Sequence, residues 1–213
     1  SEIPKDFMIR VGMMNPMYMP RIKQNLIESY DNEKVFKFLH IPVQSGSDKV
    51  LNDMKRGHTS ETFREIVKKT KKRFENFTIS TDIIVGFPSE TEEDFQKTIA
   101  LLDETKPDVV NLSKYSARPG TDAAELKQID AAEIKRRSKV IFDQINKISL
   151  KSNEKWIGWK GKVLFDENTE EGIKGRNYAY KPISIDEKVN IGQSHIVEII
   201  KATRKRLIGK IAS

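Results

Sequence analysis

From its start to about Gly158 this chain alternates short apolar runs with long stretches of helical period, and after that point the helical period stops. Phe7–Met14, Val35–Val43, Phe77–Val85 and Val109–Tyr115 read as strands. Pro20–Tyr30, Thr62–Phe74, the stretch after Ser89 and Ala131–Leu150 read as helices. Each helix carries an apolar stripe at helical spacing, such as Phe63, Ile66, Val67, Thr70 and Phe74, or Ile134, Ile141, Ile145 and Ile148. Ser89-x-x-Glu92 reads as a capping box, in which each side chain satisfies a free backbone donor at a helix start. Strands that alternate with helices of this length pair in parallel through right-handed crossovers, so the fold class is α/β. Four such strands cannot close an eight-stranded barrel. This part is either an open α/β sheet or a portion of a larger barrel whose first strands are missing.

Beyond Trp156 the texture is different. Lys162–Phe165, Asn177–Ile183, His195–Lys201 and Leu207–Ile211 are short strand candidates separated by glycine-containing turns, the pattern of a small all-β barrel or sandwich. The boundary is placed between Ser152 and Trp159, which divides the chain into residues 1–152 and 153–213.

Composition removes several function classes. The 213 residues contain no cysteine, so no disulfide and no thiolate-bound metal can form among them, and the three histidines are scattered. No run approaches the roughly 18 apolar residues of a membrane span, and no signal pattern opens the chain, so a cytoplasmic protein is expected. The net charge is +7, and residues 153–213 hold twelve Lys/Arg against eight Asp/Glu. The tail is thus the more basic part per residue, and a phosphate-bearing partner fits it.

In α/β sheets, ligands bind beyond the C-terminal ends of the strands. Three unusual segments lie at such ends: His40-Ile41-Pro42-Val43-Gln44-Ser45-Gly46-Ser47, Asp82-Ile83-Ile84-Val85-Gly86-Phe87-Pro88 and Tyr115-Ser116-Ala117-Arg118-Pro119-Gly120-Thr121. One alone reads as an ordinary turn; three at one edge suggest a shared site. Asp82 is a polar residue that a buried strand would otherwise avoid. Arg118 stands near the mouth, where it meets a phosphate or carboxylate bidentately or else salt-bridges the long helix. His40 reads as a packed strand histidine, and the Lys68–Arg73 run as a solvated helix face.

Together with Met54-Lys55-Arg56, these segments resemble the radical S-adenosylmethionine (SAM) tRNA methylthiotransferases. The tail resembles a TRAM domain through Gly161-Lys162-Val163-Leu164, Gly175-Arg176-Asn177-Tyr178, Ala202-Thr203 and Leu207-Ile208-Gly209. Arg10-Val11-Gly12-Met13-Met14-Asn15-Pro16 is similar to the archaeal and eukaryotic branch, which acts on N6-threonylcarbamoyladenosine beside the tRNA anticodon. The resemblance implies the C-terminal part of a partial (βα) TIM-like barrel followed by a small β-barrel that binds RNA. It also implies SAM and iron–sulfur clusters as cofactors, tRNA as partner and a monomeric full-length enzyme. The family's cluster cysteines have no counterpart here, so this fragment alone is expected to be inactive, with no metal ligands and no cofactor bound. A truncated barrel would also leave Phe7–Met14 unpaired on one side and prone to association.

By the same resemblance Gln44, Ser45, Asp82, Ile84, Gly86 and Tyr115 are candidate cofactor contacts. The superfamily pattern G-x-I-x-G-x-x-E is matched only in its middle, with Asp82 in place of the first glycine and the acid one place late at Glu90, which is assigned to the following helix start. Arg118, Lys160, Arg176, Tyr178, Lys181, Arg204 and Arg206 are candidate substrate or RNA contacts, cations interleaved with aromatics that pair phosphates and stack on bases. Trp156 and Trp159 are expected to pack between domains. The alternative is a stand-alone RNA-binding protein whose α/β portion is only a scaffold.

Overall fold

A computed structural model describes residues 7–170 and 172–212. After a 3-10 turn at Pro16–Tyr18 the order is α1 (Met19–Ser29), β1 (Phe38–His40), α2 (Asp48–Asp53), α3 (Ser60–Arg73), β2 (Thr78–Val85), α4 (Glu92–Thr105), β3 (Val109–Lys114), α5 (Asp122–Glu125) and α6 (Ala131–Glu154). Then follow β4 (Lys160–Thr169), β5 (Gly172–Arg176), β6 (Pro182–Ile185), β7 (Ser194–Ala202) and β8 (Leu207–Ile211). The first three strands form a parallel sheet in the order β1-β2-β3, and the last five close into a barrel in the order β4-β5-β6-β8-β7.

In β2, Ile79, Ile83 and Val85 join a core with Phe63, Ile66 and Val67 of α3, Phe95, Leu101 and Leu102 of α4, and Ile141 and Ile145 of α6. Side chains alternate across a strand, so Ser80, Asp82 and Ile84 point to the opposite face. The barrel has its own core of Val163, Phe165, Ile173, Ile183, Ile185, Val197, Ile199 and Leu207. Register shifts at Phe165/Glu167 and Ile199/Lys201 bend β4 and β7 enough to close it.

Three expectations from sequence are corrected. Phe7–Met14 makes only isolated parallel bridges, Ile9 to Val35 and Met13 to His40, and no continuous strand. Asn177–Ile183 is a turn followed by β6: the Asn177 carboxamide accepts from the Ala179 and Lys181 N–H groups, and Tyr180 takes φ 58°. The capping residue of α4 is Thr91, with Asp94 completing the box, whereas the Ser89 hydroxyl donates to Asp53 and Glu92 pairs with Arg136. The predicted strands also missed β5, whose Gly172 and Gly175 read as turn residues.

The sheet and the barrel are joined by a buried charge pair. Lys181, 2% exposed, donates to Asp108 at 3.0 Å, to Ser152 at 3.2 Å and to Asn153 at 3.1 Å. Asp108, just before β3, also accepts from the Ile79 N–H at 2.9 Å and from the Ser152 hydroxyl. Asn153 in turn donates to the Thr203 carbonyl at 2.8 Å. Lys181 therefore does not face solvent as the tail reading expected. On the same side Tyr180 packs against Phe36 and Phe38, Arg10 lies over both Phe38 and Tyr180, and the Lys37 N–H donates to the Tyr178 carbonyl.

Burial pushes the Asp108 carboxyl up, but the Lys181 ammonium and the donors around it prevail and hold it below its ordinary 3.8. A carboxyl depressed in the folded state stabilises fully above the unfolded value and loses that contribution as pH falls through the folded one. Stability is therefore expected to drop as pH falls below about 4. Lys181→Met, which strands the Asp108 charge, should cost about 3–5 kcal/mol in chemical denaturation at pH 7. A loss under 1 kcal/mol would show that the pair does not hold the two parts together.

Candidate functional site

The segment after β1 is clamped before it reaches any site. Ser45 is fully buried and its hydroxyl lies 3.3 Å from that of Thr98 in α4, which also accepts from the Gly46 N–H at 2.9 Å. A Cβ on Gly46 would meet the Lys97 carbonyl oxygen at 2.3 Å, so the close approach requires glycine. Ser47 caps α2 and donates to Asp94 at 2.6 Å. Burial raises the Asp94 carboxyl, yet the donors from Ser47 and Thr91 and the charge of Lys49 outweigh it and bring it to about 2. Across β2, the Gln44 N–H donates to the Asp82 carbonyl at 2.8 Å and the Gln44 carbonyl accepts from Ile84 at 2.9 Å. Gln44 is thereby held at φ 72°, a left-handed conformation that a non-glycine residue seldom adopts.

This clamp presents Gln44 to a cleft of about 630 Å³ at the C-terminal ends of the strands, lined by Gln44, Arg56, Asp82, Ile84, Tyr115 and Arg118 among others. Parallel register puts Asp82 beside Asn111 and Ile84 beside Ser113, so two neighbouring strands give polar positions to one open face. The Asn111 amide donates to Asp82 Oδ1 at 2.8 Å, and His40 Nε2 lies 3.0 Å from the same oxygen. A carboxylate only accepts, so this ring nitrogen carries the proton and the carboxylate is held from both sides. Asn111 and Ser113 were not singled out from sequence, and Arg56 only as part of the Met54-Lys55-Arg56 segment, although Asn111-x-Ser113-x-Tyr115 shows period-two polarity along a strand.

Two polar atoms in the cleft wall, Gln44 Oε1 and Arg56 Nε, are buried without a hydrogen-bond partner. An unmet donor and acceptor in one concave site are what a polar ligand would satisfy. They fit the ribose, amine or carboxylate groups of SAM, with Ile84 placed for an apolar contact. They do not fit an iron–sulfur cluster: the chain has no cysteine, and among the described residues no group of three His, Cys, Asp or Glu could hold a metal.

Ser45 and Gly86 stand behind the cleft. Gly86 has φ 82°, its N–H donates to Glu90 Oε1 at 3.2 Å, and a Cβ there would meet Ile134 Cγ1 at 2.7 Å. Glu90 is not a helix-start residue as expected but forms a buried pair with Arg137 at 2.6 Å. Burial raises its carboxyl, partly offset by Arg137 and the Gly86 N–H. Arg118 is exposed and takes no part in an ion pair with α6 among the described residues.

The other candidates are spread over the barrel. Arg204 and Arg206 line a cavity of about 630 Å³ with Lys174 and Lys205. Lys160 lies 3.4 Å from Glu198, and Arg176 stacks on Tyr180 at 4.7 Å. Tyr178 gathers with Trp156, which is buried in the barrel core, and with Trp159. Within the Lys68–Arg73 run, Lys71 donates to the Thr105 and Lys106 carbonyls and so caps α4 rather than standing free in solvent.

No helix of the described residues is long and apolar enough to cross a membrane. Residues 2–102 match the model of the radical SAM superfamily. The whole chain aligns at 46% identity with a probable threonylcarbamoyladenosine tRNA methylthiotransferase of Archaeoglobus fulgidus, covering 50% of that protein. A protein of the same description from Methanocaldococcus jannaschii is 43% identical over 99% of the chain and 48% of its own length. The threonylcarbamoyladenosine tRNA methylthiotransferase of Drosophila pseudoobscura pseudoobscura is 34% identical over 98% of the chain and 38% of its own length. The chain thus spans about half the length of the archaeal relatives and less of the fly protein. Among solved structures, coproporphyrinogen III oxidase (HemN) from Escherichia coli superposes with a TM-score of 0.45 at 18% identity, over 68% of this chain and 39% of that one.

Gly86→Ala should destabilise by on the order of 2 kcal/mol through overpacking and backbone strain. In an Ile134→Ala background the same substitution should cost less, because the clashing side chain is gone. Equal costs in both backgrounds, read by urea denaturation, would exclude this packing role.

Proposed function

We propose that this chain, which belongs to the radical SAM superfamily, is the cofactor-cleft and RNA-docking part of a tRNA methylthiotransferase acting on N6-threonylcarbamoyladenosine. The observation that carries the reading is the cleft, where unmet polar atoms of Gln44 and Arg56 and the braced carboxylate of Asp82 converge at the strand ends of a chain matched over its whole length by such enzymes. A pure scaffold has no use for such a wall, which weighs against the stand-alone RNA-binding alternative. In this reading residues 1–152 are the C-terminal portion of the radical SAM barrel, and residues 153–213 are a TRAM domain.

SAM, when bound, supplies the methyl group and the radical chemistry for which the superfamily is named. The chain's own contribution is placement. Gln44, pinned across β2, offers a carbonyl oxygen to a polar hydrogen of the ligand. Asp82, oriented by Asn111 and His40, accepts from a hydroxyl or ammonium. Ile84 and Tyr115 supply apolar surface, and Tyr115 is steadied edge-on by Phe87 at 5.2 Å. The basic turn of Arg204 and Arg206 meets RNA phosphates, which steers binding without reading sequence.

The missing cluster cysteines suggested that this fragment binds no cofactor, but the unmet polar atoms of the cleft revise that expectation: titration of the chain with SAM should show binding without cleavage even under reducing conditions. Gln44→Ala should weaken it roughly three- to tenfold with an unchanged circular dichroism spectrum. Wild-type affinity in that variant would remove Gln44 from the site. For RNA, Arg204→Ala with Arg206→Ala should weaken tRNA binding about equally for all sequences and lower the slope of log K against log salt by roughly 1–2. An unchanged slope would place the docking surface elsewhere.

A further inference from the structure

A second cavity, of about 440 Å³, opens at the end of the sheet opposite the cleft, beside Phe77 and Asp108, which precede β2 and β3. Lys71, Lys106, Lys147, Lys151 and Lys155 line it. Helices α3, α4 and α6 all end here, and a helix C-terminus by itself attracts cations. Lys71 answers that need, since its ammonium donates to the Thr105 and Lys106 carbonyls at 2.9 Å. The other four lysines are exposed, and among the described residues none has a hydrogen bond or ion pair through its side chain. Of the carboxylates in the lining, Asp108 is taken by Lys181, which leaves Glu75 and Asp103 against five ammonium groups. Burial, and then the charges of Lys155, Lys106 and Lys181, hold the Lys71 ammonium below its ordinary value against the attraction of Asp108. The folded chain thus gathers more positive charge here than its own groups neutralise.

The backbone shapes this excess into a groove that continues onto the barrel. Lys147, Lys151 and the C-cap Lys155 follow one side of α6 at four-residue intervals, about 6 Å apart along the axis. Lys106 occupies the left-handed C-cap of α4 at φ 43°, where glycine would carry no strain, and its side chain adds a cation to the same lining. The end of α6 touches the basic turn of the barrel: the Asn153 amide donates to the Thr203 carbonyl at 2.8 Å and lies 3.5 Å from that of Arg204. Groove and turn therefore form one cationic surface across the joint between sheet and barrel.

We propose that this groove binds the sugar–phosphate backbone of the RNA docked on the barrel, at a stretch distant from the nucleotide that enters the cleft. The inference rests on the RNA-docking reading above and adds to it a separate contact surface on the α/β part. Flexible ammonium groups meet phosphates as point charges and read no sequence. Continuity with the Arg204 turn selects RNA over an acidic protein as the occupant.

The test is fluorescence anisotropy of a labelled tRNA transcript titrated with the chain at several salt concentrations. Lys147→Gln, Lys151→Gln and Lys155→Gln combined should weaken binding about tenfold and lower the slope of log K against log salt by about 2. Lys68→Gln, Lys69→Gln and Lys72→Gln combined remove the same charge from exposed α3 positions outside the groove, and should change the slope by less than about 1. All six lysines are exposed, so both variants should keep the wild-type circular dichroism spectrum. An unchanged slope in the groove variant, or equal losses in the two variants, would overturn the proposal and leave docking on the barrel intact. Tighter binding of polyglutamate than of tRNA at matched charge, lost in the groove variant, would overturn it by assigning the groove to an acidic protein. A wild-type chain that binds no tRNA would remove both this proposal and the RNA-docking reading.

Discussion

The central strand β2 has two faces that cannot be exchanged. Ile79, Ile83 and Val85 pack with α3, α4 and α6, whereas Asp82 and Ile84 are half-buried on the opposite face and line the cleft. A one-residue slip would drive a carboxylate into the apolar layer and expose three aliphatic side chains, so the register is strongly fixed. From that register the rest follows. Asn111 falls beside Asp82, Gln44 bridges to Ile83, and the loop after β1 is locked on α4 through Ser45, Gly46 and Ser47. The cleft is thus built on strands and braced by hydrogen bonds, which favours a preorganised binding site over a mobile one.

The barrel is attached at the other end of the same sheet. Lys37 and Asp108, which meet Tyr178 and Lys181, precede β1 and β3, whereas the cleft lies past their C-terminal ends. The six residues of β3 separate these ends by roughly 20 Å at a rise of about 3.3 Å per residue. On the proposed reading, an RNA that meets both the Arg204–Arg206 turn and the cleft reaches from the barrel to the far ends of the sheet strands. Because Lys181, Asp108, Ser152 and Asn153 are hydrogen-bonded to one another in the joint, that distance is fixed by the protein.

Much of this arrangement was legible in the residues. Three of the four strands proposed for the first part, the helices and their apolar stripes follow the local period, and the strand-end segments after β1, β2 and β3 do converge on one cleft. What could not be read was tertiary. Whether Lys181 meets water or Asp108 depends on how a turn of the barrel docks on a strand start 73 positions earlier. Glu90 resembled a helix-start acid until Arg137 from α6 drew it inward. Asn111 and Ser113 are ordinary strand residues by composition, and only their register beside Asp82 and Ile84 makes them part of a site. β5 escaped notice because glycine, used there for close packing at Gly175 against Leu164, signals a turn when read locally.

The most direct measurement of the central claim is a backbone amide NMR map of the chain titrated with SAM. The expected result is shifts concentrated at Gln44, Asp82, Ile84, Asn111 and Tyr115, with Lys160, Arg204 and the barrel strands unmoved. Shifts centred on the barrel, or saturable binding that leaves the strand ends untouched, would contradict the assignment of the cleft as the ligand site.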